Sequence, residues 1–517
     1  MIYLLLLLPA VVGLCELLRR YLNYLFTPLN RIPGEKTSFL WGSFWELRNE
    51  RGLAAHFRRW KKVGVDTPLV HYTYLFGTQS VLVTDPDIIK TILLAPSEKV
   101  GKKSRFHKES YFLEQALGAG LVALDGVDYM RHRRICQPSF NTGVIRDQVN
   151  EVIPHLTKKF VEYWEIAADT GVEIDIMIHL SALSLDSVGF VLFGHDFRGM
   201  DSVKGWAEKT KDALMSGQKI SDEIGKEAFR FDDPFIAGVM EAHHTNLITI
   251  ALIVLGLASL DPYINPKRIR TDRVVNEATD NMIENARTSD KYSLLKLLLQ
   301  AGDPEDEKVK LTQEELRHEC KTFLLAGHET TATLVQWTLL ACCKHPDVQE
   351  KLVEDIRKHW DSTSDLTLDI AEKMEYMQAV INEVLRMYPP VAMIIRVNKE
   401  KEILGGYEIP AGTRLGLPML LVHRHPKFWD KPDEFRPERW LENPEPSHRF
   451  AFFPFSAGSR TCIGNRFAVW EAKIMLAGIL NAFKVQLAPS QREIVHEFAI
   501  DISMKAEPSI LVLIKKR

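Results

Sequence analysis

Between Thr312 and Pro346 the chain runs through LRHECKTFLLAGHETTATLVQWTLLACCKH with no proline. Thr312 and Glu315 have the spacing of a capping box, and Pro346 supplies the stop, so the stretch predicts one helix. At 1.5 Å per residue it is about 45 to 50 Å long, enough to cross a whole domain. No other feature constrains the fold as strongly. Its centre, AGHETTAT, is a poor choice for a helix interior: glycine costs about 1 kcal/mol against alanine, and threonine hydroxyls compete for backbone carbonyls. We therefore expect a function there. Gly327 removes a side chain where a flat ligand can lie, and back-bonded threonines open a groove for water or a diatomic molecule.

Of the 517 residues, 46% are hydrophobic and 26% are charged, with no repeat, low-complexity block or Gly/Ser linker to mark a boundary. One large domain follows. PLVHYTYLFGTQSVLVTDPD reads as a hairpin turning at Gly77 and Thr78, with Asp85 and Pro86 opening a helix. Helical patterns dominate from there to about residue 390, and KEILGGYEIPAGT brings strands back around Gly405 and Gly406. The fold class is mainly α with a small β subdomain. A net charge of -3 gives no reason to expect nucleic acid. Six cysteines without a Cys-x-x-Cys pair suggest neither zinc nor a disulfide framework.

MIYLLLLLPAVVGLCELLRRYLNYLF reads as an N-terminal membrane anchor over residues 1–26. Arg19, Arg20, Arg31 and Lys36 follow the apolar run, which puts the body on the cytosolic side. Residues 27–36, with Pro28, Pro33 and Gly34, read as a hinge, and 37–517 as the body. LITIALIVLGLASL, residues 247–260, reads as a buried helix or as one dipping into the membrane face.

FPFSAGSRTCIGNRFA, residues 453–468, surrounds Cys462 with unusual neighbours. A lone cysteine is ordinarily a small buried hydrophobe. Here Gly458 and Gly464 permit turns closed to other residues, and Arg460 offers a bidentate donor suited to a carboxylate. Ala468, Ala472, Met475, Ile479 and Phe483 give the following helix a buried face, and its free N–H groups favour a thiolate. A nucleophile wants a nearby base, and zinc wants more ligands than this segment offers. An axial thiolate on haem iron needs this one residue.

Phe455, Gly458, Arg460, Cys462 and Gly464 match Phe-x-x-Gly-x-Arg-x-Cys-x-Gly, and the segment resembles the haem-binding loop of the cytochrome P450 superfamily. AGHETT resembles that family's oxygen-activating stretch, EVLR its Glu-x-x-Arg helix, and FRPERW its Phe-x-Pro-Glu-Arg segment. The resemblance runs from Pro33 to the C-terminus and makes 37–517 a haem domain of the membrane-bound eukaryotic kind. It implies haem b (iron protoporphyrin IX), with Arg133, Arg396 and Arg460 on the propionates and Tyr129 standing where a tryptophan is usual. It also implies that Ala326 and Gly327 face the haem, and that Glu383, Arg386 and Arg439 form a buried structural triad. By themselves, Glu383 and Arg386 would be a surface pair contributing about 0.2 to 0.5 kcal/mol.

The mechanism implied has Thr330 hydrogen-bonding dioxygen and Glu329 relaying protons, against the plainer reading of Glu329 as a partner of a basic side chain. His328 is expected to be exposed. No flavin domain fits in the chain, so electrons come from NADPH through NADPH–cytochrome P450 reductase on the same membrane, with cytochrome b5 as a second donor. The endoplasmic reticulum is the implied location. Tyr111, Phe112, Leu117, Phe323, Ala326, Met393 and Ile394 are the expected walls of an oily pocket. Rival readings are a haem-thiolate isomerase or dehydratase, which needs no proton relay, and a non-catalytic haem sensor.

Overall fold

The computed structural model describes residues 15, 17–35, 37–43, 46, 53–96, 99–101, 118–140, 142–216, 233, 236, 265–301, 310–362, 364–443, 445–497 and 503–517. Its main helices are α1 (Leu53–Val63), α2 (Pro86–Leu94), α3 (Gly126–Cys136), α4 (Thr142–Thr170), α5 (Ile176–Val188) and α6 (Gly199–Met215). They continue as α7 (Pro266–Thr288), α8 (Gln313–Lys344), α9 (Pro346–His359), α10 (Glu375–Met387) and α11 (Asn465–Ala482).

Helix α8 is the rod that the sequence predicts. Thr312 Oγ1 accepts the Glu315 N–H at 3.2 Å, and the Glu315 carboxylate accepts the Thr312 N–H at 2.8 Å, so two orphan donors are satisfied reciprocally. From Phe323 onward it is buried on nearly every side, with α5, α10 and α11 packed around it. Trp164, Trp337 and Phe160 are fully buried in the same core. Each such side chain contributes about 1.5 to 3 kcal/mol. Helix α11 has more than the single apolar face read from its sequence: Trp470 to Leu480 are all buried, including Glu471 and Lys473.

Strand β1 (Leu69–Tyr74) pairs antiparallel with β2 (Thr78–Val83). The turn lies earlier than expected, at Leu75–Gly77, and Thr78 already pairs with Tyr74. Phe76 and Gly77 close it with φ of 52° and 65°. Adding β3 (Val100–Gly101), β5 (Ile394–Asn398) and β8 (Arg414–Leu417) gives the order β1-β2-β8-β5-β3, with β2 and β8 parallel. Strand β4 (Ile174–Asp175) belongs to a smaller sheet. The expected Gly405–Gly406 turn joins β6 (Glu402–Leu404) to β7 (Tyr407–Ile409). A strand at Phe483–Leu487 and one at Leu511–Lys516 join β4 to close the end of the helical layer.

Residues 17–26 are helical and expose Leu17, Leu18, Tyr21, Leu22, Leu25 and Phe26. The segment read as a hinge is docked on the sheet. Leu29 and Ile32 are buried in its core, and the His71 N–H reaches Pro33 O at 2.9 Å. Leu29 and Ile32, three positions apart, draw it in. Residues 247–260 lie outside the described residues. Among those described, Ile176–Phe193 is long and apolar enough to cross a membrane, but 78% of it is buried inside the protein.

Candidate functional site

The loop before α11 is held at many points. Cys462 N–H donates to Phe455 O at 2.8 Å, and Ser456 (φ 61°) turns the chain to allow it. Gly458 lies so close to α2 that a Cβ there would sit 2.1 Å from Leu93 O, and its φ is 70°. Only glycine fits. Arg133 Nη1 donates to Thr461 O at 2.9 Å, and Tyr129 Oη donates to Ser459 O at 2.7 Å. Helix α3 thus grips the loop from below.

Cys462 is exposed, although protein is dense around its thiol. Burial pushes its thiol up, while the Gly464 N–H and the Arg133 charge draw it down. Gly464 is the N-cap of α11, so the start of that helix follows the cysteine directly. Phe140 links this loop to α8: its ring lies 3.9 Å from where a Gly464 Cβ would be and 5.5 Å, centroid to centroid, from Phe323. Phe323, expected as a pocket wall, is buried. Ala326, Gly327, Glu329 and Thr330, just beyond it, are partly accessible in an otherwise buried helix. Met393 and Ile394 are also partly accessible, whereas Tyr111, Phe112 and Leu117 fall outside the described residues.

Two arginines converge beside the loop. Arg396 on β5 is buried, donates to Ile395 O at 3.0 Å and Ser456 Oγ at 3.3 Å, and is pulled down to about 10 by burial and by Arg460. Arg460 stacks over the Tyr129 ring at 3.9 Å and donates through Nη2 to Leu124 O at 2.8 Å and Asp125 Oδ1 at 2.7 Å. Its Nη1 is buried with no hydrogen-bond partner among the described residues. Asp125 was not singled out in the sequence; a carboxylate in the Asp-Gly turn before α3 was the available signal. Arg133 is engaged with the Thr461 carbonyl and, through Nε, with Gln137 Oε1 at 3.2 Å.

One expectation on α8 needs correction. His328 is buried, not exposed, and donates from Nδ1 to Leu324 O at 2.9 Å. Gly327 faces α5, because a Cβ there would meet Val188 Cγ2 at 3.1 Å. The missing side chain allows the close approach of α5. Threonine back-bonding is present: Thr330 Oγ1 donates to Ala326 O at 2.7 Å and Thr331 Oγ1 to Gly327 O at 3.2 Å. Glu329 accepts from Ser503 Oγ at 2.6 Å, a partner with no sequence signal.

Glu383, Arg386 and Arg439 come together in the core. Arg386 Nε and Nη2 each reach Glu383 at 2.9 Å, and Arg439 Nε reaches it at 3.1 Å. Trp440 Nε1 and the Arg436 N–H add donors at 2.9 Å. Spare arginine donors end on the carbonyls of His423, Pro432 and Asp430. His423, also missed, donates from Nδ1 to Leu385 O at 3.3 Å and accepts the Phe453 N–H at Nε2 at 3.0 Å. It joins the triad helix to the start of the cysteine loop.

A long central helix facing an arginine-flanked cysteine loop is the architecture of the haem-thiolate class. The sequence profile of the family described as cytochrome P450 matches residues 33–513. Cytochrome P450 4A10 of Mus musculus is 28% identical over 86% of this chain and 82% of its own length. Echinocystic acid 23-monooxygenase of Saponaria officinalis is 29% identical over 81% and 77%. A crystal structure of the cytochrome P450DA heme domain superposes with a TM-score of 0.75 at 24% identity, covering 94% of this chain and 98% of that one. The chain belongs to the cytochrome P450 family. It is a haem b monooxygenase that inserts one atom of dioxygen into a hydrophobic organic substrate, with electrons from NADPH through a separate reductase.

Proposed function

We propose that Cys462 is the axial thiolate of this monooxygenase, that Arg396 and Arg460 hold the haem carboxylates, and that Glu329 and Thr330 deliver protons. The observation that carries the reading is the pairing of an exposed Cys462 just before the N-terminus of α11 with a buried guanidinium nitrogen on Arg460 that has no hydrogen-bond partner among the described residues. An unpaired buried donor of this kind suits a propionate. Arg396, buried and already lowered, gains most from a carboxylate. When bound, the group supplies dioxygen activation, which a thiolate ligand promotes.

The chain's own part is positional. Arg133 and Tyr129 hold the loop carbonyls so that the sulfur keeps its place; Phe455 accepts the cysteine N–H, and Gly458 gives the loop its turn, while Gly464, with an ordinary negative φ, caps the start of α11. Ala326 leaves room on the accessible side of α8. Thr330 carries a hydroxyl that can exchange its Ala326 bond for one to substrate oxygen, and Glu329 stands beside it as the proton carrier. Gly327 belongs to the packing of this stretch.

Residues 1–26 form the anchor in the endoplasmic reticulum membrane, with 37–517 as the haem domain on the cytosolic side and lipid around the exposed leucines. Residues 27–36 connect the two. Lys90, Arg449 and exposed Leu94 frame the outer side of Ala457–Gly458 and suit an acidic electron-transfer protein, cytochrome b5 as well as the reductase. The test is Cys462→Ser: the red-shifted Soret band of the reduced carbon monoxide complex should vanish. Its survival would remove the ligand assignment.

A further inference from the structure

We infer that Ser503 is a positioning residue for proton delivery, holding Glu329 in both of its protonation states; the inference rests on the relay role proposed for Glu329. Ser503 lies in the C-terminal segment, 174 residues from its partner, and is fully buried. Its hydroxyl donates to Glu329 Oε1 at 2.6 Å.

The backbone that presents this hydroxyl is fixed from two sides. Met504 N–H donates to Pro390 O at 2.7 Å, and Met504 O accepts from Trp337 Nε1 at 3.1 Å. Trp337 is two turns along α8 from Glu329, and its ring stacks on Tyr388 at 4.9 Å with an interplanar angle of 5°. Pro390 leads through Met393 and Ile394 into β5, the strand that carries Arg396. One short segment therefore ties the carboxylate to the helix that bears it and to the strand beside the cysteine loop.

The chemistry of the partner matters. A lysine or arginine holds only the carboxylate and opposes its protonation. A serine hydroxyl has one donor and two acceptor lone pairs, so it donates to the carboxylate and, after rotation, accepts from the acid. Glu329 can then take up and release a proton without losing its place. A proton carrier must change charge in each turnover, which makes a neutral, two-way partner the suitable one.

Losing a hydrogen bond to a charged group shifts an orientation equilibrium by about tenfold. Ser503→Ala should lower product formed per NADPH oxidised by up to about tenfold, with the difference appearing as peroxide. The carbon monoxide band and the ferric spin shift on substrate binding should stay. Ser503→Thr, which keeps the hydroxyl, should restore coupling. The same substitution in a Glu329→Gln background separates positioning from mere structure: no further loss is expected there. An equal loss in both backgrounds, or full coupling in Ser503→Ala alone, overturns the inference. Full coupling in Glu329→Gln overturns the relay role itself, and the inference with it.

Discussion

Glu383→Gln probes the buried triad with almost no change of volume. The parent carboxylate is fully buried and accepts five hydrogen bonds, three from Arg386 and Arg439 side chains, one from Trp440 and one from the Arg436 backbone. An amide removes the negative charge and turns one acceptor into a donor facing donors. Arg386, itself fully buried, is left without its counter-charge, although three backbone carbonyls still receive its spare hydrogens. Breaking a buried pair in this way costs about 3 to 5 kcal/mol. With an unfolding entropy of about 2.1 cal/mol/K per residue, a chain of this size loses about one degree of melting temperature per kcal/mol, so a fall of about 3 to 5 °C is expected. Arg386 also donates to His423 O, and His423 holds Phe453 at the loop entrance, so haem content should fall with stability. Thermal unfolding of the haem-loaded protein, read together with haem per chain, checks this. A melting temperature within one degree of the parent with full haem would refute the argument that the triad supports the loop.

Thr330→Ala removes a back-bonded hydroxyl and no core packing; the haem spectrum should persist while electrons are diverted to peroxide, measured as peroxide per NADPH. Glu471→Gln should stabilise the protein at neutral and alkaline pH. Burial raises the Glu471 carboxyl to about 8 from 4.5, so the folded chain holds a proton that the unfolded chain releases. That contribution is complete below pH 4.5 and is lost as pH rises toward 8, amounting to about 3 kcal/mol by pH 7. The urea midpoint of the variant should therefore pull ahead of the parent between pH 5 and 8, and a constant difference would count against it.

Much of this architecture is visible in residue order alone. The capping box at Thr312 and Glu315, the Gly405–Gly406 turn and the Asp85–Pro86 helix start are local devices, and each acts as its residues dictate. The loop motif placed Arg460 beside Cys462 for the same reason. What escaped notice depends on long-range packing. Gly327 answers to Val188, 139 positions away, and Glu329 answers to Ser503. Asp125, which pairs with Arg460, is 335 residues from it. His328 looked polar enough for the surface, but its Nδ1–H is satisfied by a carbonyl of its own helix, which allows it to be buried.

The apolar stretch Ile176–Phe193 carries a practical warning for topology mapping. A hydropathy plot would draw it as a crossing, yet it is wrapped by its neighbours. Reporter tags placed at surface positions on either side of it should be labelled from the same side of a sealed vesicle, and a plot taken at face value would assign them to opposite ones.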